Sequence, residues 1–502
     1  MAHMDATRSR KICFRIFGVF RGSWIELSDS FQNYRENFLI ANEHALRRAV
    51  GHPMKICRLF LAVPLLCVTS WAAPVPDVAV VPEQIFPQLD AILKTAVQQS
   101  PRMLNRVLDL EIAENSRIQA RAGLLPSVAG SLTYYKTSDD RADIAGRQRL
   151  TKTYYNFSVT QPVFYWGERR NSAKMGEIQA TIAKGNYRDA YRLLCQQLRY
   201  SYMGLIAQKL AVKRAQYYTG YVKSQLAEAE ERLQKKVISD AEIFSVRLTA
   251  EQAQIAVDRA HFDFDNARAS FARMAGLPDI SEESIPDGIP AANYDPAVFD
   301  RLLADYLAQK DLPTIDAVNA RHQIEVDQLT YKNAKTALRP KFSVVAGTNQ
   351  DEQSFTLNVA QKYKVNSIYA GFSMYWNIFD GFSSRAGARS SLARIRKSEN
   401  DYRTLTEQLT AQAQSQVKLI NFSARSMSIS DRYLSSGEGN LRARKEERSR
   451  GVRSEAEVSQ AQINLYDVQI AAINARADYF AKISDFLGTI TEDPVLANVT
   501  EK

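Results

Sequence analysis

Leu125-Pro126-Ser127-Val128-Ala129-Gly130-Ser131-Leu132 opens a stretch that closes, after a polar middle, at Val159-Thr160-Gln161-Pro162-Val163-Phe164-Tyr165-Trp166-Gly167. A second version opens at Arg339-Pro340-Lys341-Phe342-Ser343-Val344-Val345-Ala346 and closes at Met374-Tyr375-Trp376-Asn377-Ile378-Phe379-Asp380-Gly381. Val128, Gly130, Leu132 and Tyr134 alternate with Ser127, Ala129, Ser131 and Thr133, and Tyr155, Phe157, Val159 and Val163 alternate with Asn156, Ser158 and Thr160. In the second version Phe372, Met374, Trp376 and Ile378 alternate with Ser373, Tyr375 and Asn377. Side chains two apart share one face of a strand, so each version predicts two strands with one apolar face. The expected spans are about residues 127–135 and 154–165, then 341–348 and 367–379. Two hairpins leave open edges and cannot close a barrel alone.

Outward from the hairpins the pattern turns helical. Leu89, Ile92, Leu93 and Val97 repeat at three- and four-residue steps before Ser100-Pro101. That pair reads as an N-cap followed by proline at the first helical position. After Gly167 a stretch without proline carries Leu194, Leu198, Tyr202, Leu205, Val212, Ala215, Val222, Leu226, Ala229 and Leu233. This spacing is that of a coiled coil, and a helix so long would measure about 100 Å. A break at Val237-Ile238-Ser239-Asp240 precedes a second helix that Gly276 and Pro278 stop. Residues 277–295 read as a loop between two halves, and then the plan restarts. A long helix over about residues 384–450 leads to a break at Gly451-Val452-Arg453-Ser454. The last helix carries heptads through Val458, Ala461, Leu465, Val468, Ala472, Ala475 and Tyr479, and Leu487-Gly488 is expected to close it. Val237 to Ile243 aligns with Val452 to Val458, with Lys236 standing where Gly451 does. The chain is therefore a duplicated unit of helix, hairpin, long helix, turn and helix, over residues 83–276 and 296–490, with a tail at 491–502.

The N-terminal part follows other rules. Met54-Lys55-Ile56-Cys57-Arg58 and the short apolar run from Leu59 to Val68, then Ser70-Trp71-Ala72, predict a signal peptide over 54–72. Residues 1–53 lie upstream of it and are read as an extension that is not part of the native fold. Of four cysteines only Cys195 lies beyond the leader, which leaves no intrachain disulfide. Cys67 lacks the small preceding residue that a lipid-anchor site usually carries. Residues 1–73 carry 10 Lys+Arg and 5 Asp+Glu, leaving 55 against 50. So weak a balance gives no reason to expect nucleic acid.

Catalytic patterns are poor. His261 and His322 are the only histidines beyond the leader, far apart and each on a predicted helix. There is no His-Glu-x-x-His, no paired Cys-x-x-Cys and no phosphate-binding Gly-rich loop ending in Lys-Ser or Lys-Thr. No cofactor or metal is expected, and no enzyme.

With its paired strand starts at Pro126 and Pro340, strand ends at Gln161-Pro162-Val163-Phe164 and Trp376-Asn377-Ile378-Phe379, and paired helix breaks, the chain resembles the TolC-like outer-membrane efflux proteins over about residues 83–490. The resemblance implies a mainly α fold with transmembrane β. Three copies would supply about twelve strands to one outer-membrane barrel, continued across the periplasm by an α-helical coiled-coil barrel. Tyr155, Phe157, Val159, Val163, Phe372, Met374, Trp376 and Ile378 would then face lipid. Tyr154, Tyr155, Tyr165, Trp166, Tyr375 and Trp376 would form interfacial belts. Val237, Ile238, Ser239, Asp240, Val452, Arg453, Ser454 and Glu455 would be the tips that dock a periplasmic adaptor, with an inner-membrane pump reached through it. The implied function is a passive exit duct for small molecules or protein, in efflux or type I secretion. The rival is a periplasmic coiled-coil scaffold without a pore.

Overall fold

The computed structural model describes residues 81–139, 147–354 and 362–499. The expected extension and signal peptide, Cys13, Cys57 and Cys67, and the two outer loop centres lie outside the described residues. The chain opens with a short α1 (Pro82–Ile85), α2 (Pro87–Gln99) and α3 (Pro101–Ala122). Strands β1 (Ser127–Asp139) and β2 (Gln148–Phe164) follow, then α4 (Glu168–Gln234) and α5 (Asp240–Ala275). The second half repeats this with α6 (Pro296–Ala308), α7 (Ile315–Lys335), β3 (Lys341–Ser354), β4 (Lys362–Tyr375), α8 (Ser383–Ser449) and α9 (Glu455–Ile490). The duplication is metrical: α4 and α8 are each 67 residues, and α5 and α9 are each 36. Equal lengths keep the two hairpin turns at equivalent depth below the sheet.

The four strands make one antiparallel sheet in the order β1-β2-β3-β4. Val159 pairs with both Val128 and Ala346, and Val344 pairs with Phe372. Partners across a ladder point to the same side. One face therefore gathers Val128, Leu132, Tyr155, Phe157, Val159, Val344, Ile368 and Phe372, and the other gathers Ser131, Asn156, Ser158, Ser343, Asn349 and Ser373. The strands run further toward the outer loops than the alternation predicts, because hydrophilic residues continue the ladder to Asp139↔Gln148 and Ser354↔Lys362.

At the other end the structure corrects the reading. β4 stops at Tyr375, so Trp376 and Ile378 lie beyond the strand rather than on it. Trp376 turns its Nε1 toward the carbonyl of Leu338 at 2.9 Å, a bond to the segment before β3 that leaves the ladder. The ladder between β2 and β3 slips between Pro162 and Phe164, where proline offers no amide hydrogen. Phe164, not Val163, pairs with Phe342 there, so the strict alternation that placed Val163 with Val159 breaks one step early.

The apolar core lies among the helices, away from both sheet and tips. Leu89, Leu93, Tyr191, Leu194, Leu198, Phe271 and Phe480 form one cluster, and Phe299, Tyr306, Val417, Ile420, Ile483 and Phe486 form its counterpart in the second half. Heptad positions Val458, Leu465, Ala472 and Tyr479 of α9 are all buried. The connection between halves is packed, with Ile280, Ile285 and Ile289 buried and Lys209 and Lys213 both paired with Asp287. Ser100 begins α3 but does not cap it with its side chain: the hydroxyl donates to Met274 O at 2.8 Å, joining α3 to the end of α5. Gly276 ends α5 at φ 79, and a Cβ there would meet Gln99 O at 2.2 Å, so only glycine permits that crossing. The expected end of the last helix at Gly488 is corrected as well: α9 continues to Ile490 and turns at Thr491, with φ 66. Gly488 instead lies where Arg192 and Gln196 of α4 press against the helix.

Candidate functional site

Two surfaces concentrate unusual residues: the apolar sheet face and the paired helix turns. On the sheet, Phe157, Val159, Phe372 and Met374 are exposed, Phe372 at 87% and its neighbour Ile368 at 90%. Tyr155 is half-buried on the same face. A soluble sheet would cover such a face with helices. Here β1 and β4 each pair on one side only among the described residues. The opposite face carries small hydroxyl and amide side chains. Of the expected belt residues, Tyr154 shares this polar face with Thr133, and Tyr165 joins it through a 3.1 Å hydrogen bond between its hydroxyl and that of Ser343.

The turns are built alike. After α4, Lys236 takes the left-handed conformation at φ 56, and after α8, Gly451 takes it at φ 76. In the first turn Lys236 N and Val237 N donate to Leu233 O and Arg232 O at 2.8 and 2.9 Å; in the second Gly451 N and Val452 N donate to Arg448 O and Glu447 O at 2.8 and 3.0 Å. This paired closure satisfies carbonyls that a helix end otherwise leaves open. Ser239 and Ser454 then cap the next helices in reciprocal boxes with Glu242 and Glu457. Asp240 and Glu455 are first residues of their helices, not caps. The Ser239 backbone N–H and hydroxyl hold the Glu242 carboxyl below its usual range. The Ser454 N–H and Arg453 do the same for Glu457. The substitution of lysine for glycine thus leaves the backbone path unchanged, and both turns present an exposed valine, Val237 at 69% and Val452 at 70%.

Side chains distinguish the turns. Ile238 is half-buried where Arg453 is exposed, and Arg453 bridges Glu447 and Glu457 at 3.1 and 2.6 Å. Arg448 also pairs with Glu455. Below each turn lies a small cluster, Val222 with Ala250 and Ala253, and Leu441 with Val458 and Leu465.

A second apolar stripe lies on the helices, and of it the sequence reading picks out only Leu248 and Ile255. Phe244, Leu248, Ile255 and Phe262 on α5 are exposed at four- and seven-residue steps, while Ile243, Ala250, Val257 and Phe264 on the same helix are buried. On α8, Phe422, Ile429 and Tyr433 are exposed while Val417, Ile420, Ala424 and Met427 are buried. The signal that could have set them on a face of their own was the seven-residue spacing of Leu248, Ile255 and Phe262.

Elsewhere the chemistry is structural. Arg199 on α4 is 1% exposed and binds Asp493 at 2.8 Å and Glu83 through its Nε at 2.9 Å. The two carboxylates outweigh the cost of burial and hold the guanidinium firmly charged. Burial pushes the neighbouring Cys195 thiol up to about 12, so it stays protonated and unreactive. A polar cleft of about 280 Å³ is lined by Asp189, Arg192, Asp316 and Asp485, and burial raises the Asp316 and Asp485 carboxyls. No metal-binding group of three His, Cys, Asp or Glu occurs among the described residues. His261 is engaged by Gln216 at 2.9 Å.

A family model described as outer membrane efflux protein matches residues 92–277 and 313–482. The chain belongs to the outer membrane efflux protein family. Both matched segments contain one hairpin and one long helix pair, so the match covers the duplication itself. Solved structures with the same fold include the CmeC outer membrane channel of Campylobacter jejuni, at 12% identity and TM-score 0.61 over 88% of this chain and 94% of that one. A membrane protein of Pseudomonas aeruginosa aligns at 16% identity and TM-score 0.60, over 84% and 98%. The MtrE channel of Neisseria gonorrhoeae in its open state aligns at 16% and 0.57, over 80% and 89%. No curated protein sequence matches the chain. Membership makes the chain an outer-membrane efflux channel of TolC type, with a long periplasmic helical part.

Proposed function

We propose that three copies of this chain form the exit duct of a tripartite export system. The observation that carries this is the incomplete sheet: among the described residues, four strands with an exposed apolar face and two edges left open. Backbone groups in lipid must be paired, so an open sheet cannot stand in a bilayer. Three copies give about twelve strands, enough to enclose a water-filled lumen. The exposed stripes on α5 and α8 support the same assembly, because neighbouring copies would cover them as coiled-coil partners. Tyr155, Phe157, Val159, Phe372 and Met374 then meet lipid, and the hydroxyl-rich face lines the lumen. Val237 and Val452, framed by Ile238, Ser239, Asp240, Arg453, Ser454 and Glu455, form the docking tips for a periplasmic adaptor. The adaptor couples the duct to an inner-membrane pump that supplies energy. The duct passes small molecules or protein, and selection takes place upstream.

Planar-bilayer recording of the purified protein tests the duct: it should give discrete conductance steps, whereas a pore-free scaffold gives none. Val237→Asp with Val452→Asp tests the tips. This pair should abolish adaptor pull-down while leaving conductance steps in place, and retained capture would overturn the docking assignment.

A further inference from the structure

The junction between strands and helices holds a cation that no acid among the described residues neutralises. Arg339 lies in the segment between α7 and β3, and its guanidinium carbon stands 4.7 Å from the centroid of the Trp166 ring. Trp166 packs edge-on against Phe164 at 4.7 Å, and Phe164 pairs with Phe342 on the apolar sheet face. The stacked pair is therefore on the side of the sheet that meets lipid. Both tryptophans of the junction spend their N–H groups on this same segment, Trp166 on Pro340 O at 2.8 Å and Trp376 on Leu338 O at 2.9 Å. An interfacial indole ordinarily turns that N–H to the headgroup layer. Here the two rings instead fix the segment, one from each half of the duplication, and the polar work passes to Arg339.

Arg339 is exposed and has no carboxylate partner among the described residues. Glu168, an acid at the same junction, is taken by Lys341 at 2.6 Å. Lys335 and Arg169 add further positive charge, each held over a tyrosine ring. A guanidinium laid flat on an indole keeps its edge donors free in a planar fork, the geometry that grips phosphate at two points. Leu338 and Trp376, both partly exposed beside it, offer apolar surface to acyl chains.

We propose that Arg339, seated on Trp166, binds the phosphate of a phospholipid headgroup in the leaflet that faces the periplasm. The inference rests on the barrel reading above. The seat fixes the depth of the barrel in the bilayer, because the segment that carries Arg339 is bonded to strand ends from both hairpins.

The test is native mass spectrometry of the full chain in mild detergent, titrated with palmitoyl-oleoyl-phosphatidylglycerol. Wild type should retain one tightly bound lipid per protomer. Arg339→Ala should weaken that binding about tenfold, the effect of one charge-assisted hydrogen-bonding group. Arg339→Lys should restore only part of it, because an ammonium makes a single point contact. Palmitoyl-oleoyl-glycerol, which lacks the phosphate, should not occupy the site. Lys341→Ala, which releases Glu168 to compete for Arg339, should weaken binding as well. Planar-bilayer conductance of each variant reports that the barrel is intact. Equal lipid retention by wild type and Arg339→Ala, with conductance steps in both, overturns the headgroup seat and spares the barrel. A wild type that neither conducts nor takes up lipid overturns both.

Discussion

Lys236 occupies a backbone position that glycine holds in the other half, and the cost of that choice can be measured. A side chain in the left-handed region crowds its own carbonyl, so Lys236→Gly should stabilise the first turn by about 1 kcal/mol. Amide hydrogen exchange at residues 233–243 should slow by the corresponding factor, while the second turn stays as it was. Glu242 and Glu457 respond to pH in a stated direction. Their carboxyls are held below the usual range in the fold, so their support is fully present above about pH 4.3, the ordinary glutamate value. It is lost as pH falls through the lower folded values. Protection from exchange near the turns, relative to the intrinsic rate at each pH, should therefore fall first in acid, and Glu242→Gln with Glu457→Gln should remove that pH dependence. Arg199 is a larger case. Removing it strands Asp493 and Glu83 as buried charges, and Arg199→Ala should cost about 3–5 kcal/mol. Thermal unfolding of the variant should show it, with the C-terminal 3-10 turn at Pro494–Asn498 and α1 released together, since Asp493 and Glu83 anchor them.

Among elements, the sheet and the long helices were legible for opposite reasons. Period-two alternation from Tyr155 to Val159 and seven-residue repeats from Val458 to Tyr479 are regular enough to be read without a fold. The ends were not. Trp376 continued the alternation on paper but left the strand for a hydrogen bond to Leu338, a partner distant in sequence. Val163 lost its place to Phe164 through a bulge that Pro162 announces only once the partner strand is known. The second stripe on α5 went unseen as a stripe because Phe244, Ile255 and Phe262 stay largely exposed in their own chain and pack into neither of its cores. The apolar sheet face yields its own test. Val159→Arg or Phe372→Arg should cost about 2–4 kcal/mol if the residue sits near the bilayer midplane. The yield of assembled protein in outer-membrane fractions should fall accordingly. A charge at Ser131 or Ser158, on the other face, should leave the yield intact and change ion selectivity.

At the scale of the whole molecule the chain is half-finished by its own physics. Its cores satisfy the middle of the helices, while the strand edges, the sheet face and two helix stripes stay open. Each half contributes to these open surfaces, the first with β1 and the stripe on α5, the second with β4 and the stripe on α8. Duplication explains why the family was readable: each half rehearses the other, so a weak strand signal at residues 341–348 gains weight from its counterpart at 127–135. What duplication could not show is what covers the open edges, since the proposed partner is another molecule with the same sequence. The direct measurement is the mass of the particle extracted from membranes in mild detergent, read by native mass spectrometry. A mass of three chains is expected; a stable single chain, soluble without detergent, would overturn the proposed duct.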